Sequence, residues 1–114
     1  MQLIPDLTFL KQISDNDMDF IKDVLNTFLE EMPKDMDALT VAIESKNFTD
    51  IGKVTHKTKS TLQTVGLTEL KDLALTIEQT IKQGSTDPEL LVQATTFKAN
   101  MEKTYPNVQQ LIKS

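Results

Sequence analysis

Ile51-Gly52-Lys53-Val54-Thr55-His56-Lys57-Thr58-Lys59-Ser60-Thr61-Leu62-Gln63-Thr64-Val65-Gly66-Leu67 is the stretch from which the rest of the chain can be read. As a helix it lines up Ile51, Val54, Thr58, Leu62 and Val65 on one stripe at three- and four-residue steps. The only histidine, His56, lies off that stripe and should face outward. Side chains three and four positions apart are neighbours on a helix surface. Lys53 and Lys59 therefore flank the imidazole at three positions, and Gly52 and Ser60 at four. An imidazole between two ammonium groups, with little bulk above or below it, suits a large anionic visitor. No acidic residue occurs from Ile51 to Thr68, although the whole chain has a net charge of −5. The bland alternative is a solvated lysine face around a polar histidine. Gly52 argues against it, because a mid-helix glycine costs ~1 kcal/mol relative to alanine and invites a reason.

Outward from this stretch the helical rhythm continues in both directions. Upstream, Ile21, Leu25, Phe28, Met32, Met36, Leu39 and Ile43 recur every three or four residues straight through Pro33. The spacing predicts one long helix over 17–46, kinked near Pro33 where the ring meets the carbonyl of Leu29. Ser14 with Asp17 resembles a capping box at its start. A short apolar piece over 7–13 precedes it. Asn47, with Asp50 three residues on, separates this helix from the next, over 48–65, which ends at Gly66. Thr68 is placed to cap a helix over 68–83, with Leu70, Leu73, Ala74, Ile77 and Ile81 inward. Asp87-Pro88 opens the last, over 88–104, with Leu90, Ala94, Phe97 and Met101 inward. Pro106 is expected to break it and leave a short terminal segment. Four amphipathic helices with short connections predict a single all-α domain over 1–114, an antiparallel up-down four-helix bundle with a short N-terminal helix.

Composition narrows the chemistry. The chain has no cysteine, so disulfides, thiol catalysis and cysteine-based zinc sites are excluded. One histidine gives no Ser-His-Asp or Cys-His centre, and the Glu-x-x-His pairs of a di-metal bundle do not occur. No glycine-rich phosphate loop is present, so no ATP binding is expected. All twelve basic residues are lysine in a chain of net charge −5, a poor match to nucleic acid. No apolar run approaches the roughly 18 residues of a membrane span, and the first residues carry no signal-peptide pattern. A cytoplasmic monomer without cofactor or bound metal is the expectation.

Hairpin geometry adds one residue to the site. His56 lies eleven positions before Leu67 and Glu78 eleven after it, so each is about 16 Å along its own helix from the turn. Glu78 sits on the edge of its helix's core stripe, and its carboxylate can reach the imidazole. A carboxylate on Nδ1–H would fix the tautomer and leave Nε2 as a nucleophile. Lys59, one turn away, could steady an anionic group beside the imidazole as a point charge.

His56-x-x-Lys59 followed by Gly66 resembles the motif of the histidine-containing phosphotransfer (HPt) domain family, roughly His-x-Leu-Lys-Gly-Ser and then Leu-Gly. Thr58 stands where leucine is usual and Ser60 where glycine is usual, with Thr61 in place of the serine. The resemblance spans about Leu7 to Met101. It implies that His56 accepts a phosphoryl group from the aspartyl phosphate of a response-regulator receiver domain and passes it to another receiver. It also implies that Glu78 occupies the position of a polar residue bonded to the histidine. Mg²⁺ is then expected on the partner receiver. Receivers, and a hybrid sensor kinase, are the implied partners. For docking, Lys53 and Lys57 are expected to steer an acidic receiver, Gly52 and Ser60 to keep the surface flat, and exposed Gln63 to extend it. Phe9, Leu10 and Ile13 are expected to supply an apolar patch. The competing expectation is a helical adaptor that keeps this fold without phosphotransfer.

Overall fold

A computed structural model describes residues 1–114. It contains five helices and no strand: α1 (Thr8–Ile13), α2 (Met18–Glu44), α3 (Phe48–Thr64), α4 (Thr68–Lys82) and α5 (Glu89–Lys113). The last four form the up-down bundle. α2 runs unbroken through Pro33, held by the buried side chains of Phe28, Met32 and Met36 on either side of the proline. A 27-residue helix is about 40 Å long, which accounts for the 43 Å long axis of the molecule.

The ends are set by local chemistry. Asp17, not Ser14, caps α2: its carboxylate accepts the Phe20 N–H at 3.1 Å, while the Ser14 hydroxyl donates back to the Leu10 carbonyl. Asn47 caps α3 as expected, accepting from the Asp50 N–H at 3.0 Å. Gly66 has φ +74°, and a Cβ there would lie 1.8 Å from the Asp6 carbonyl oxygen. Both the left-handed turn and the close approach of the N-terminal segment therefore require glycine. The expected Thr68 cap is replaced by a long-range one, in which Gln2 Oε1 accepts the Thr68 N–H at 3.1 Å.

Two further expectations are corrected. α5 does not stop at Pro106 but continues to Lys113. A proline inside a helix costs about 3 kcal/mol, yet here the turns on both sides are packed. Met101, Thr104 and Val108 are buried, and Tyr105 meets Phe28 edge-on with ring centroids 6.3 Å apart. Burial outweighs the missing hydrogen bond. The second correction is Leu10, which is fully buried in the core and cannot belong to a docking patch. The lengths explain why. α2 (27 residues) and α5 (25 residues) outrun α3 (17) and α4 (15). The surplus apolar surface below the α3–α4 turn needs a cover. The N-terminal segment and α1 supply it: Asp6 N–H donates to the Gly66 carbonyl at 3.1 Å, and Asn107 Nδ2 donates to the Leu3 carbonyl at 2.9 Å. Leu10 closes the end of the core, while Phe9 and Ile13 stay exposed on the outer side of α1.

Candidate functional site

The α3–α4 hairpin sets His56 level with Glu78. Gly66 and Leu67 make the turn, and the two antiparallel helices then run side by side. Their close approach has a visible cause. A Cβ on Gly52 would stand 3.3 Å from Ile81 Cγ2, tighter than ordinary contact. Gly52 thus serves helix packing as well as leaving space near the imidazole.

His56 is exposed, with 65% of its side-chain surface accessible, whereas the Glu78 side chain is only 3% accessible. Glu78 Oε2 lies 3.1 Å from His56 Nδ1. Its other oxygen, Oε1, accepts from Lys82 Nζ at 2.9 Å and from Lys59 Nζ at 3.2 Å. A buried carboxylate without partners would be costly, and burial pushes the Glu78 pKa up. The hydrogen bonds from Lys82, His56 and Lys59 outweigh that and hold it at about 2. Glu78 is therefore ionised at neutral pH and can only accept. It follows that His56 Nδ1 carries the proton of this bond. In the neutral ring the lone pair is then on Nε2, the nitrogen turned away from Glu78.

Two surfaces flank His56. On the α4 side a depression of about 430 Å³ is lined by Gly52, Lys53, His56, Glu78, Ile81 and Lys82, together with Thr49. Its charged groups are mostly ammonium. On the α2 side a groove of about 460 Å³ has Val24, Phe28, Met32 and Val65 as its apolar lining, with Lys57 and Ser60 near the histidine. Lys57 does not stand free there. Its Nζ donates to Asp35 Oδ1 at 2.7 Å, and that bond raises the Lys57 pKa. Lys53 reaches Asp50 at 3.9 Å on its own helix.

The structure thus gathers His56, Lys59 and Glu78 into one bonded group, with Gly52 and Lys53 in the adjoining depression. Ser60 and Gln63 are exposed on α3. The run of sequence without acids is not acid-free in space, because Asp35 and Glu78 arrive from neighbouring helices. Phe9 and Ile13 are not beside the histidine: Asp6, just before α1, is bonded at Gly66, about 15 Å along α3 from His56. Sequence reading missed Lys82, although Glu78 and Lys82 form an i,i+4 acid–base pair visible in the sequence. It also missed the α2 side of the groove.

No helix is long and apolar enough to cross a membrane. No curated protein and no solved structure matches the chain. The family model described as Hpt domain matches residues 23–112. The matched span takes in most of α2 and all of α3 and α4, and it runs through Pro106 to the last residue but one of α5. It leaves α1 outside. Domains of this kind serve phosphotransfer in two-component signalling and interact there with receiver domains and kinases. With an exposed histidine held by a buried carboxylate at its centre, this chain belongs to the Hpt domain family.

Proposed function

We propose that His56 is a phosphorelay intermediate, taking a phosphoryl group from a receiver-domain aspartyl phosphate and giving it to another receiver. The observation that carries this reading is the Nδ1 contact with an ionised, buried Glu78 beneath an otherwise open imidazole. The Nε2 lone pair attacks phosphorus in line. The bond from phosphorus to the aspartyl oxygen breaks, and its electrons return to the carboxylate. The proton on Nδ1 stays in place, so the phosphorylated ring is cationic there and Glu78 faces it with a full negative charge. Lys59 and Lys82 each have further N–H donors beyond the one given to Glu78, and these can meet phosphoryl oxygens. Return transfer reverses each bond change. The divalent cation of the reaction belongs to the receiver.

Incubation with a phosphorylated receiver and Mg²⁺ should move label to His56 as an acid-labile, base-stable adduct. His56→Gln should abolish labelling and leave the thermal midpoint almost unchanged, since an exposed helical residue usually contributes within about ±0.5 kcal/mol. Undiminished labelling of that variant would overturn the assignment. A parent protein that binds receivers but takes no label would be a helical adaptor.

A further inference from the structure

Two ammonium groups share one oxygen of Glu78, and they are not equivalent. Lys59 Nζ lies 3.2 Å from Oε1 with 27% of its side-chain surface accessible, whereas Lys82 Nζ lies 2.9 Å from the same atom with 66% accessible. Their places along the hairpin also differ. Lys59 is three residues from His56 toward the C-terminal end of α3, about 4.5 Å along the axis. Thr49, Gly52 and Lys53 lie on the other side of the imidazole. Because α4 runs antiparallel, Lys82, four residues beyond Glu78, lies on that other side too. The depression of about 430 Å³ beside His56 follows this division: Lys53 and Lys82 line it, and Lys59 does not. It reaches from His56 to Thr49, about 10 Å along α3. The Cα–Cβ bonds of a helix tilt toward its N-terminus, which leans the imidazole toward Gly52 and Lys53. Asp50, the nearest exposed acid, accepts from the Asn47 amide at 2.9 Å, and Lys53 has only a 3.9 Å contact with it.

Resting on the phosphorelay reading, we propose a division of labour: Lys82, with Lys53, binds the phosphoryl group in the depression on the α4 side of His56, and Lys59 is a positioning residue that holds Glu78 against Nδ1. The sequence placed the anion-steadying charge on Lys59; the geometry moves it to Lys82. Stripping a buried carboxylate of its cation is costly. With two ammonium groups on Oε1, the exposed one turns to the arriving dianion while the enclosed one keeps Glu78 paired. The bond changes are those of the relay. Nε2–P forms, the P–O bond to the aspartyl carboxylate breaks with its electron pair going to that oxygen, and neither lysine gives up a proton.

The test compares Lys82→Gln, Lys82→Arg and Lys59→Gln in the full chain. Phosphoramidate, a small donor that needs no receiver, should label His56 roughly tenfold more slowly in Lys82→Gln, and Lys82→Arg should recover most of the parent rate. The phosphorus-31 resonance of phosphorylated His56 should titrate at higher pH in Lys82→Gln, where an ammonium beside the dianion is lost. In Lys59→Gln it should titrate as in the parent, and the urea midpoint should fall more than in Lys82→Gln. Inorganic phosphate should shift the amide resonances of Gly52, Lys53 and Lys82 saturably in the unphosphorylated parent and not in K53Q/K82Q. Labelling slowed by Lys59→Gln but not by Lys82→Gln, an unmoved phosphorus titration in Lys82→Gln, or phosphate shifts that persist in K53Q/K82Q would each overturn the proposal. Saturable phosphate binding by a parent that no phosphorylated receiver labels would instead defeat the phosphorelay reading and leave the anion site standing.

Discussion

The two sides of α3 hold lysine–carboxylate pairs that look alike on paper and differ in physics. Toward α4, Lys59 and Lys82 meet a Glu78 carboxylate that is almost wholly withdrawn from water. Toward α2, Lys57 meets Asp35 with the lysine side chain 65% accessible. The shorter contact is the second, at 2.7 Å against 2.9 and 3.2 Å. Length does not decide the matter. Around Glu78, low-dielectric surroundings make the charge consequential, whereas water screens the Lys57 pair. One side of the helix therefore holds a fixed, desolvated charge, and the other a solvated and adaptable ion pair.

The sharpest way to break the contrast is Glu78→Ala. It leaves two ammonium groups without their shared partner and an imidazole without its anchor. Removing one member of a buried ion pair costs 3–5 kcal/mol. Because Lys59 and Lys82 still reach water, about 2–3 kcal/mol is expected here, read as a lower urea midpoint, together with slower phosphotransfer. Unchanged stability would place Glu78 among screened surface acids.

Acid should reveal the same charge without a mutation that opens a cavity. The Glu78 pKa falls from 4.5 to about 2 on folding. At ~1.36 kcal/mol per pH unit the difference is about 3 kcal/mol. A depressed carboxylate binds protons more readily when unfolded. Its contribution is full above pH 4.5 and is lost as pH falls toward 2. Denaturation curves of the parent across that window should show the loss, and Glu78→Gln should show a correspondingly flatter dependence. Parallel curves would deny the shift.

Lys82→Ala sharpens the comparison further. One of three donors to Glu78 disappears while Lys59 and His56 remain, so the stability loss should stay under about 1 kcal/mol. Transfer to His56 should slow more than stability falls. The smallest effect belongs to the other side. Lys57→Ala should leave the thermal midpoint unchanged within error and alter only the association rate with a receiver, most at low salt. A large loss of stability there would erase the distinction drawn above.

Much of this arrangement was legible in the sequence because it is local or nearly so. The apolar stripes of α2 to α5 follow the helical period, and Asn47 and Gly66 mark turns by their own chemistry. Counting outward from Gly66-Leu67 paired His56 with Glu78. The same count outward from Lys46, which has φ +54° at the other turn, pairs Asp35 with Lys57, each eleven residues away. That step would have shown the lysines of α3 to be less free than the linear sequence implies. Pro106 was not legible, because nothing near it in sequence reports that Phe28 waits on α2 to pack against Tyr105. Leu10 misled for a related reason. A short helix can dock outward or plug the core, and only the unequal lengths of the four bundle helices, seen together, decide between the two.

Glu78 meets Nδ1 of His56 at 3.1 Å, and on the proposed function Nε2 is the nitrogen that takes the phosphoryl group. Nitrogen-15 and phosphorus-31 NMR of the phosphorylated, ring-labelled protein reads that directly. One phosphohistidine is expected, at His56, with phosphorus coupled to Nε2 and the Nδ1 proton still present and shared with Glu78. Phosphorus on Nδ1, or on any residue other than His56, would contradict it.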